Sequence, residues 1–299
     1  LAAFIWGTAF VAQTSAGDNI GAFTFNACRN IIGALFLFIV IAILDMRKYS
    51  DRYDNPSENN YNIYKKNYII NKKDYLTDAN KWPIKEGVIC GILLCIAMNL
   101  QQIGINTYPN GVAVSGRAGF LTATYVVMIA IVSVFMGQKL HKLTIIAAFV
   151  CIAGMYLLCI AGGINEIYVA DILELMCAVA FTIHMFTVDK YDKADGVKLS
   201  CIQFLTSGIL SGILMLIFDK ADIPILYAGV MSSGIAYTFQ IIGQKYAKPS
   251  VTAIVLSLES VFAALAGWIL LGEHLSTREL TGCILVFTAV IIAQIPQFA

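Results

Sequence analysis

The stretch AALAGWILLGEHL, residues 263–275, repeats the pattern of MIAIVSVFMGQKL, residues 128–140. Both segments are apolar, reach a Gly, continue with two polar residues and end in Leu. Each is followed by a further apolar segment that contains small residues. When apolar segments are counted as membrane-crossing helices, each copy closes a set of five. Because five is an odd number of crossings, the second set starts from the opposite side of the membrane and has the opposite orientation. The sequence therefore predicts an inverted repeat.

Ten segments are long and apolar enough to be counted in this way, because about 20 apolar residues span the hydrocarbon of a bilayer. Helix is the expected structure, since lipid offers no partner for an unpaired backbone group. The predicted spans are 1–17, 21–44, 84–106, 111–136, 142–161, 168–189, 198–218, 223–244, 250–271 and 278–295. The predicted fold is an all-α integral membrane protein with ten transmembrane helices, arranged as two inverted five-helix repeats at 1–161 and 162–299.

The composition agrees with a membrane protein. Of the 299 residues, 59% are hydrophobic and 13% are charged, whereas soluble domains carry about 45–50% apolar and about 25% charged residues. The net charge of +1 gives no sign of nucleic-acid binding. The segment 46–83 differs, because it is rich in Asn, Tyr, Lys and Asp. It is predicted to be a polar, flexible or weakly structured cytoplasmic insertion in the first repeat, with a docking or regulatory segment as the alternative.

The basic residues predict the orientation of the chain. With the N-terminus in the cytoplasm, the inward loops are 45–85, 137–142, 189–198 and 245–249. They hold 16 of the 20 Lys and Arg residues, and the outward loops hold 2. Because Lys and Arg are enriched in cytoplasmic loops, we expect a multi-pass protein of the cytoplasmic membrane with both termini inside.

Glu259 is the tenth residue of the ninth span, near the predicted centre of the bilayer. An ionised group there costs about 2.5–3.5 kcal/mol on insertion scales, so it should face the bundle interior. Counted back from Gly272 and Gly137, it corresponds to Thr124 in the first repeat. We interpret Glu259 as a substrate or proton site, with a hydrogen-bonded packing carboxylate as the alternative.

Two arginines also lie inside predicted spans. Arg117 sits about 9–10 Å below the outer surface at a rise of 1.5 Å per residue, with Thr124 on the same face of its helix. Its guanidinium suits a carboxylate or phosphate, and the alternative is extension to the outer headgroups. Arg29 is similarly placed, and we expect it to reach the headgroups or to pair structurally.

Two stripes of polar side chains occur in spans that correspond across the repeat. Their members are Tyr237, Gln240 and Gln244 in the eighth span, and Asn99, Gln102 and Asn106 in the third, with Gln101 beside them. Stripes that meet at a pseudo-two-fold interface would line a cavity able to give and accept hydrogen bonds. The alternative is interhelical bonding, at about 0.6 kcal/mol for each bond. Trp6 is either an aromatic wall of this cavity or a packing residue.

His184 lies deep in the sixth span, where it is either a proton relay or a hydrogen-bonded helix partner. The eight cysteines lie in apolar runs without a CxxC pair, and we interpret them as free thiols. No cofactor or metal site is predicted, because the chain has three His and no HExxH, Walker A or EF-hand pattern. No catalytic constellation is found either, so the sequence does not predict an enzyme.

Four stretches of the chain follow the pattern of one known family. They are LAAFIWGTAFVAQ (1–13), NLQQIGINTYPNGVAVSGRAGFLTATYVVMIAIVSVFMGQKL (99–140), DILELMCAVAFTIHMFTVDKY (171–191) and SSGIAYTFQIIGQKYAKPSVTAIVLSLESVFAALAGWILLGEHLS (232–276). Through them the chain resembles the EamA-type transporters of the drug/metabolite transporter superfamily, over nearly its whole length except 46–83. It departs from the family where Ala130 and Ser260 replace a frequent Pro, and where Gly137-Gln138 replaces a frequent Gly-Glu.

The resemblance and the polar stripes together predict a secondary transporter or exporter of small, polar, amino-acid-like metabolites that works by alternating access. The candidate substrate-binding residues are Glu259, Arg117, Gln102, Tyr237, Gln240, Trp6, Gln101, Gln244, Thr124 and Asn99, and the candidate proton relays are Glu259 and His184. The expected partners are the substrate and the lipid bilayer, with a homodimer as an option and no nucleic acid. The alternative is a non-transporting scaffold or an integral-membrane enzyme, which the outward loops disfavour because they carry almost no reactive groups.

Overall fold

The computed structural model describes residues 3–7, 13, 20–53, 82–109, 114–137, 141–159, 167–219, 235–262, 265 and 276–298. Within these ranges the regular elements are helices, and no strand occurs. The helices are α1 (Ala22–Tyr53), α2 (Ile84–Thr107), α3 (Val114–Ala123), α4 (Tyr125–Phe135), α5 (Lys142–Cys159), α6 (Val169–Lys190), α7 (Gly196–Phe218), α8 (Tyr237–Gln244), α9 (Pro249–Leu256) and α10 (Thr277–Phe298). The all-α fold predicted from the sequence is confirmed for this part of the chain.

Five stretches of these helices are long and apolar enough to cross a membrane. They are Ala22–Asp45, Ile84–Thr107, Arg117–Phe135, Val169–Lys190 and Gly196–Phe218. Three shorter apolar helices, Lys142–Leu157, Pro249–Phe262 and Leu280–Ala293, fall within the predicted fifth, ninth and tenth spans. Much of the predicted spans 1–17 and 223–244 lies outside the described residues, although 3–7 and Tyr237–Gln244 are helical.

The helices expose apolar side chains and bury polar ones between them. Phe135 is 86% exposed and Leu216 is 81% exposed, whereas Asn30 and Gln203 are fully buried. Some of the buried groups bond to each other, as when the Asn30 amide donates to the Ser207 hydroxyl at 2.9 Å. An apolar exterior around a polar interior is the arrangement expected of helices surrounded by lipid.

Helix α1 extends further than the sequence indicated. It continues without interruption through 46–53, which we had assigned to the flexible insertion. No Gly or Pro occurs between 34 and 55, and the first Pro is Pro56, so nothing in the backbone stops the helix as it leaves the apolar segment. The rest of the insertion lies outside the described residues.

Close helix pairs join the first half of the chain to the second. Helix α1 packs on α7, α5 packs on α10, and α2 packs on both α6 and α7. Glycines bring the backbones together: a Cβ atom on Gly154 of α5 would lie 2.9 Å from the Gly282 carbonyl oxygen of α10. A Cβ atom on Gly91 of α2 would lie 2.7 Å from the Gln203 carbonyl oxygen of α7. Small residues allow this approach in membrane helices, so the two halves are interlocked.

The fourth and ninth predicted spans are each interrupted by a one-residue turn at a hydroxyl residue, and these two turns are called bends below. At the first bend, Thr124 lies between α3 and α4, and its hydroxyl donates to the Leu121 carbonyl at 2.5 Å. At the second bend, Ser257 follows α9, and its hydroxyl donates to the Ile254 carbonyl at 2.6 Å. A hydroxyl that bonds back to the preceding turn bends a helix because it competes with the backbone amide for that carbonyl.

The backbone takes the same path at both bends. Thr124 has φ −59° and ψ −15°, and Ser257 has φ −59° and ψ −14°. The Val127 amide donates to the Thr124 carbonyl at 3.0 Å, and the Ser260 amide donates to the Ser257 carbonyl at 3.2 Å. Each bend is therefore a single tight turn with bonds between residues three apart, and it forms without a proline.

Candidate functional site

A cavity lies between the two halves of the chain. Its volume open to the centres of water-sized molecules is about 50 Å³, enough for about four waters at roughly 10–15 Å³ each. Six lining residues come from the first half: Trp6, Gln13, Arg29, Gln101, Thr122 and Tyr125. Six come from the second half: Phe181, Met185, Tyr237, Gln240, Leu256 and Glu259. The equal contribution places the cavity at the interface of the halves, where the sequence predicted the polar stripes to meet.

Both bends lie against this cavity. The lining residues that flank them are Thr122 and Tyr125 at the first bend, and Leu256 and Glu259 at the second. A change in the angle of either bend would therefore move side chains of the cavity wall. Broken or bent helices at a central site are typical of transporters with internal repeats.

The carboxylate of Glu259 brings an acid to the cavity. The residue is 6% exposed, and within the described part of the chain no group donates a hydrogen bond to it and no cation lies within 4.0 Å of it. A carboxylate that serves helix packing is held by neighbouring donors. Because such donors are absent among the described residues, a ligand-binding role for Glu259 is favoured over a role in helix packing.

Arg29, from α1, brings a cation to the same cavity. It is 2% exposed, and its Nε and Nη1 atoms have no hydrogen-bond partner among the described residues. Its guanidinium carbon lies 5.3 Å from the centre of the Phe25 ring, a contact with the ring that leaves N–H donors available. The sequence predicts Arg29 at the headgroups or in a structural pair, and the structure instead places it in the wall of the cavity that Glu259 also lines.

Amide and aromatic side chains complete the wall. The Gln101 amide donates to the Thr122 hydroxyl at 3.4 Å, and the Oε1 atom of Gln240 has no partner among the described residues. The rings of Trp6 and Tyr237 meet edge to face with their centres 4.6 Å apart. The wall therefore offers hydrogen-bonding groups on a rigid aromatic frame.

Five of the residues proposed from the sequence line the cavity: Glu259, Gln101, Tyr237, Gln240 and Trp6. The structure places the other six elsewhere: Arg117, Gln102, Asn99, Gln244, Thr124 and His184. Thr124 forms the first bend rather than a contact with the cavity. Gln244 lies one turn beyond Gln240, and its amide donates to the Met185 carbonyl at 3.4 Å.

Arg117 is held in an ion pair away from the cavity. Its Nε and Nη2 atoms donate to the two carboxylate oxygens of Asp171 at 2.7 and 2.6 Å, and its guanidinium lies 4.7 Å from the centre of the Tyr168 ring. The Tyr108 hydroxyl donates to the same carboxylate at 2.8 Å. Burial and this hydrogen bond raise the pKa of Tyr108 above its usual range. The cluster ties α2, α3 and α6 together at their ends.

The remaining polar candidates bridge helices. Asn99 accepts from Asn26 of α1 at 3.0 Å and donates to Ser211 of α7 at 2.8 Å. Gln102 donates to the Gln13 carbonyl at 3.4 Å and also to Asn106, one turn along its own helix, at 2.9 Å. These bonds match the alternative that we gave for the stripe in the third span, which is interhelical bonding.

His184 is fully buried and bonds to a neighbouring helix. Its Nε2 atom lies 3.2 Å from the Oε1 atom of Gln203 in α7. It does not line the cavity. This geometry matches a hydrogen-bonded helix partner, the alternative to a proton relay.

Comparisons with known proteins agree with the geometry. Residues 169–294 match the EamA-like transporter family. An uncharacterized transporter of Archaeoglobus fulgidus is 26% identical over 99% of this chain and 84% of its own length. The uncharacterized transporter YoaV of Bacillus subtilis is 20% identical over 94% of this chain and 90% of its own length. The chain is a membrane transporter, and its second half is similar to the EamA-like transporter family.

A solved structure shares the fold of this transporter. That crystal structure aligns with a TM-score of 0.73 at 16% identity, over 99% of this chain and 94% of the other. The likeness concerns the fold alone. The family and the relatives point to a transporter rather than an enzyme, and in the described ranges no three His, Cys, Asp or Glu side chains gather as metal ligands would.

A further buried acid of the transporter, Glu174 in α6, is not among the residues proposed from the sequence. It is fully buried, and the Thr122 hydroxyl, which also lines the cavity, donates to its Oε2 atom at 2.7 Å. Its Oε1 atom has no partner among the described residues. An acid six residues into an apolar helix is the same signal that identified Glu259, so a uniform search for intramembrane acids would have found it.

Proposed function

We propose that the transporter moves small, polar, amino-acid-like metabolites across the cytoplasmic membrane by alternating access. The observation that carries this proposal is the polar cavity with six lining residues from each half of the chain and a helix bend against it in each half. A site at the interface of two repeats becomes accessible from either side when one repeat tilts against the other.

We further propose ten spans in two inverted repeats, 1–161 and 162–299. Three observations support the symmetry. Helices α1 and α7, which hold equivalent places in the two repeats, pack on each other, and so do α5 and α10. The two bends have φ and ψ angles within one degree of each other.

The inward position of both termini is part of the same proposal. It is supported by contacts between loops that the basic residues assign to one side. Lys198 pairs with Asp45 at 3.7 Å, and the Lys245 amine donates to the Ala194 carbonyl. All four residues belong to loops or helix ends predicted to face the cytoplasm.

The role of Glu259 can be tested by transport in reconstituted vesicles. Glu259→Gln keeps the shape of the side chain and removes its charge, so we expect uptake of labelled amino acids to fall at least tenfold or to lose its dependence on a pH gradient. Glu86→Gln, in the first turn of α2 and away from the cavity, is the matched control and should behave like the wild type. Unchanged uptake and pH dependence in Glu259→Gln would remove this residue from the mechanism.

A further inference from the structure

The unpaired polar atoms of the cavity fall into two sets. The donors are Nε and Nη1 of Arg29, which have no partner among the described residues. The acceptors are Oε1 of Gln13 and Oε1 of Gln240, which also lack described partners, and the Glu259 carboxylate. A ligand that satisfies both sets must accept hydrogen bonds at one end and donate them at the other.

No protein acid in the described part of the chain neutralises Arg29. No carboxylate there lies within 4.0 Å of its guanidinium. Asp171 is already taken by Arg117, and Glu174 is bonded to Thr122. A buried charge without a counter-charge destabilises a folded protein, and intramembrane charges are kept where they serve a substrate or ion pathway.

We propose that Arg29 binds the carboxylate of the cargo while Glu259 and the amide oxygens of Gln13 and Gln240 face its ammonium group. The cargo is then a zwitterion of the amino-acid kind. The guanidinium fork matches a carboxylate with two parallel hydrogen bonds. This inference rests on the proposed function, because it names the ligand of the same cavity.

The two charges also exclude related molecules. A simple amine would leave Arg29 unpaired and add a second cation to a buried site. A simple carboxylate would bring a second anion near Glu259. Each mismatch leaves a buried charge uncompensated, so the cavity discriminates by repulsion as well as by attraction.

The first test needs no substrate. In purified full-length protein, Arg29→Met removes an unpaired buried cation and keeps most of the side-chain volume, so the melting temperature without ligand should equal or exceed that of the wild type. The matched control is Arg117→Met. It leaves the Asp171 carboxylate without its ion-pair partner and should lower the melting temperature. A fall for Arg29→Met as large as for Arg117→Met would make Arg29 a structural residue and overturn the proposal.

The second test measures recognition. Wild-type protein in liposomes is assayed for uptake of each of the proteinogenic L-amino acids, of simple amines and of simple carboxylates. The best amino-acid substrate is then competed with its own α-amide and its decarboxylated amine. We expect the amino acid to compete at least tenfold better than either analogue, since both lack the carboxylate. In Arg29→Gln this preference should disappear, and Arg29→Lys, which keeps the charge but loses the fork, should retain part of it.

The outcomes separate this inference from the proposed function. If the wild type transports amines, or carboxylates without an ammonium group, as well as it transports amino acids, the protein is a transporter and the zwitterion assignment is wrong. An Arg29→Gln variant that retains the full preference for the carboxylate also overturns it. If none of these charge classes is taken up, the proposed function itself fails, and the ligand assignment fails with it.

Discussion

Asp219 shows how one residue at a helix end can hold two spans together. Its Oδ2 atom accepts from the backbone amide of Thr24 at 2.7 Å and from the Thr24 hydroxyl at 3.0 Å. The acid follows α7 directly, and Thr24 is in the first turn of α1. A carboxylate from one helix thus caps the N-terminus of its neighbour, where it meets free amides and the positive end of the helix dipole.

Removal of this cap should destabilise the protein. We expect Asp219→Ala to lower the free energy of unfolding by about 1 kcal/mol, the usual effect of losing an N-terminal cap. Asp192→Ala is the control, because Asp192 is exposed and a change at such a site usually stays within about 0.5 kcal/mol. Thermal unfolding in one detergent measures both, and equal effects would show that Asp219 does not cap α1.

The two bends are the elements most directly tied to the cavity. In Thr124→Ala and Ser257→Ala, the preceding carbonyl no longer accepts from the side chain, so regular backbone hydrogen bonds should form across the bend. We expect slower hydrogen–deuterium exchange of the amides just after the changed residue, and several-fold slower transport.

A matched control exists in α6. The Thr187 hydroxyl donates to the Ile183 carbonyl at 2.8 Å in a helix that continues without a break. Thr187→Ala should therefore change neither amide exchange nor transport. If Thr124→Ala and Ser257→Ala leave both measurements like those of Thr187→Ala, the hydroxyls do not cause the bends.

The contact between α5 and α10 makes a second prediction about helices. A Cβ atom at Gly154 would meet backbone atoms of α10, the Gly282 carbonyl oxygen and the Val286 nitrogen, both at 2.9 Å. Gly154→Ala must therefore separate the helices, at a cost of about 1–3 kcal/mol in the free energy of unfolding. Gly243→Ala in α8 has open space around the new atom and should be neutral or slightly stabilising. Equal melting temperatures for the two variants would contradict this packing.

At the scale of the whole molecule, the sequence predicts those features that the membrane environment determines. Lipid requires long apolar helices, and it drives polar groups such as Glu259 and Gln240 inward, toward the cavity that they line. The different roles of Arg29 and Arg117 could not be predicted from their depth in the membrane, because both lie a similar distance inside their predicted spans. Arg117 forms an ion pair with Asp171, which lies 54 residues away in the sequence. Arg29 forms no ion pair with any described residue. Pairing over such separations depends on which helix faces meet, and a single sequence does not contain that information.

The two bends could not be predicted from the sequence for a different reason. Proline, the usual cause of a sharp bend, is absent from both bends, which depend on hydroxyls that bond to carbonyls three residues earlier. Serine and threonine are common inside membrane helices, where most of them bond back without a break, as Thr182 and Thr187 do. Local sequence therefore does not distinguish a hydroxyl that bends its helix from one that leaves it straight.

The matching bends also bear on which way the transporter faces at rest. The two bends have the same backbone angles, so we expect the same conformational energy at each. In the proposed inverted arrangement, the inward-open and outward-open forms differ by which half takes which conformation. The free-energy difference between these forms should therefore be small. The difference that remains is chemical: two residues after the bend, one half carries Val126 and the other Glu259. We expect the inward-open and outward-open forms to be nearly equal in free energy in the empty protein. The electrochemical gradient and the charge of the occupant, rather than the scaffold, would then set the direction of net flux.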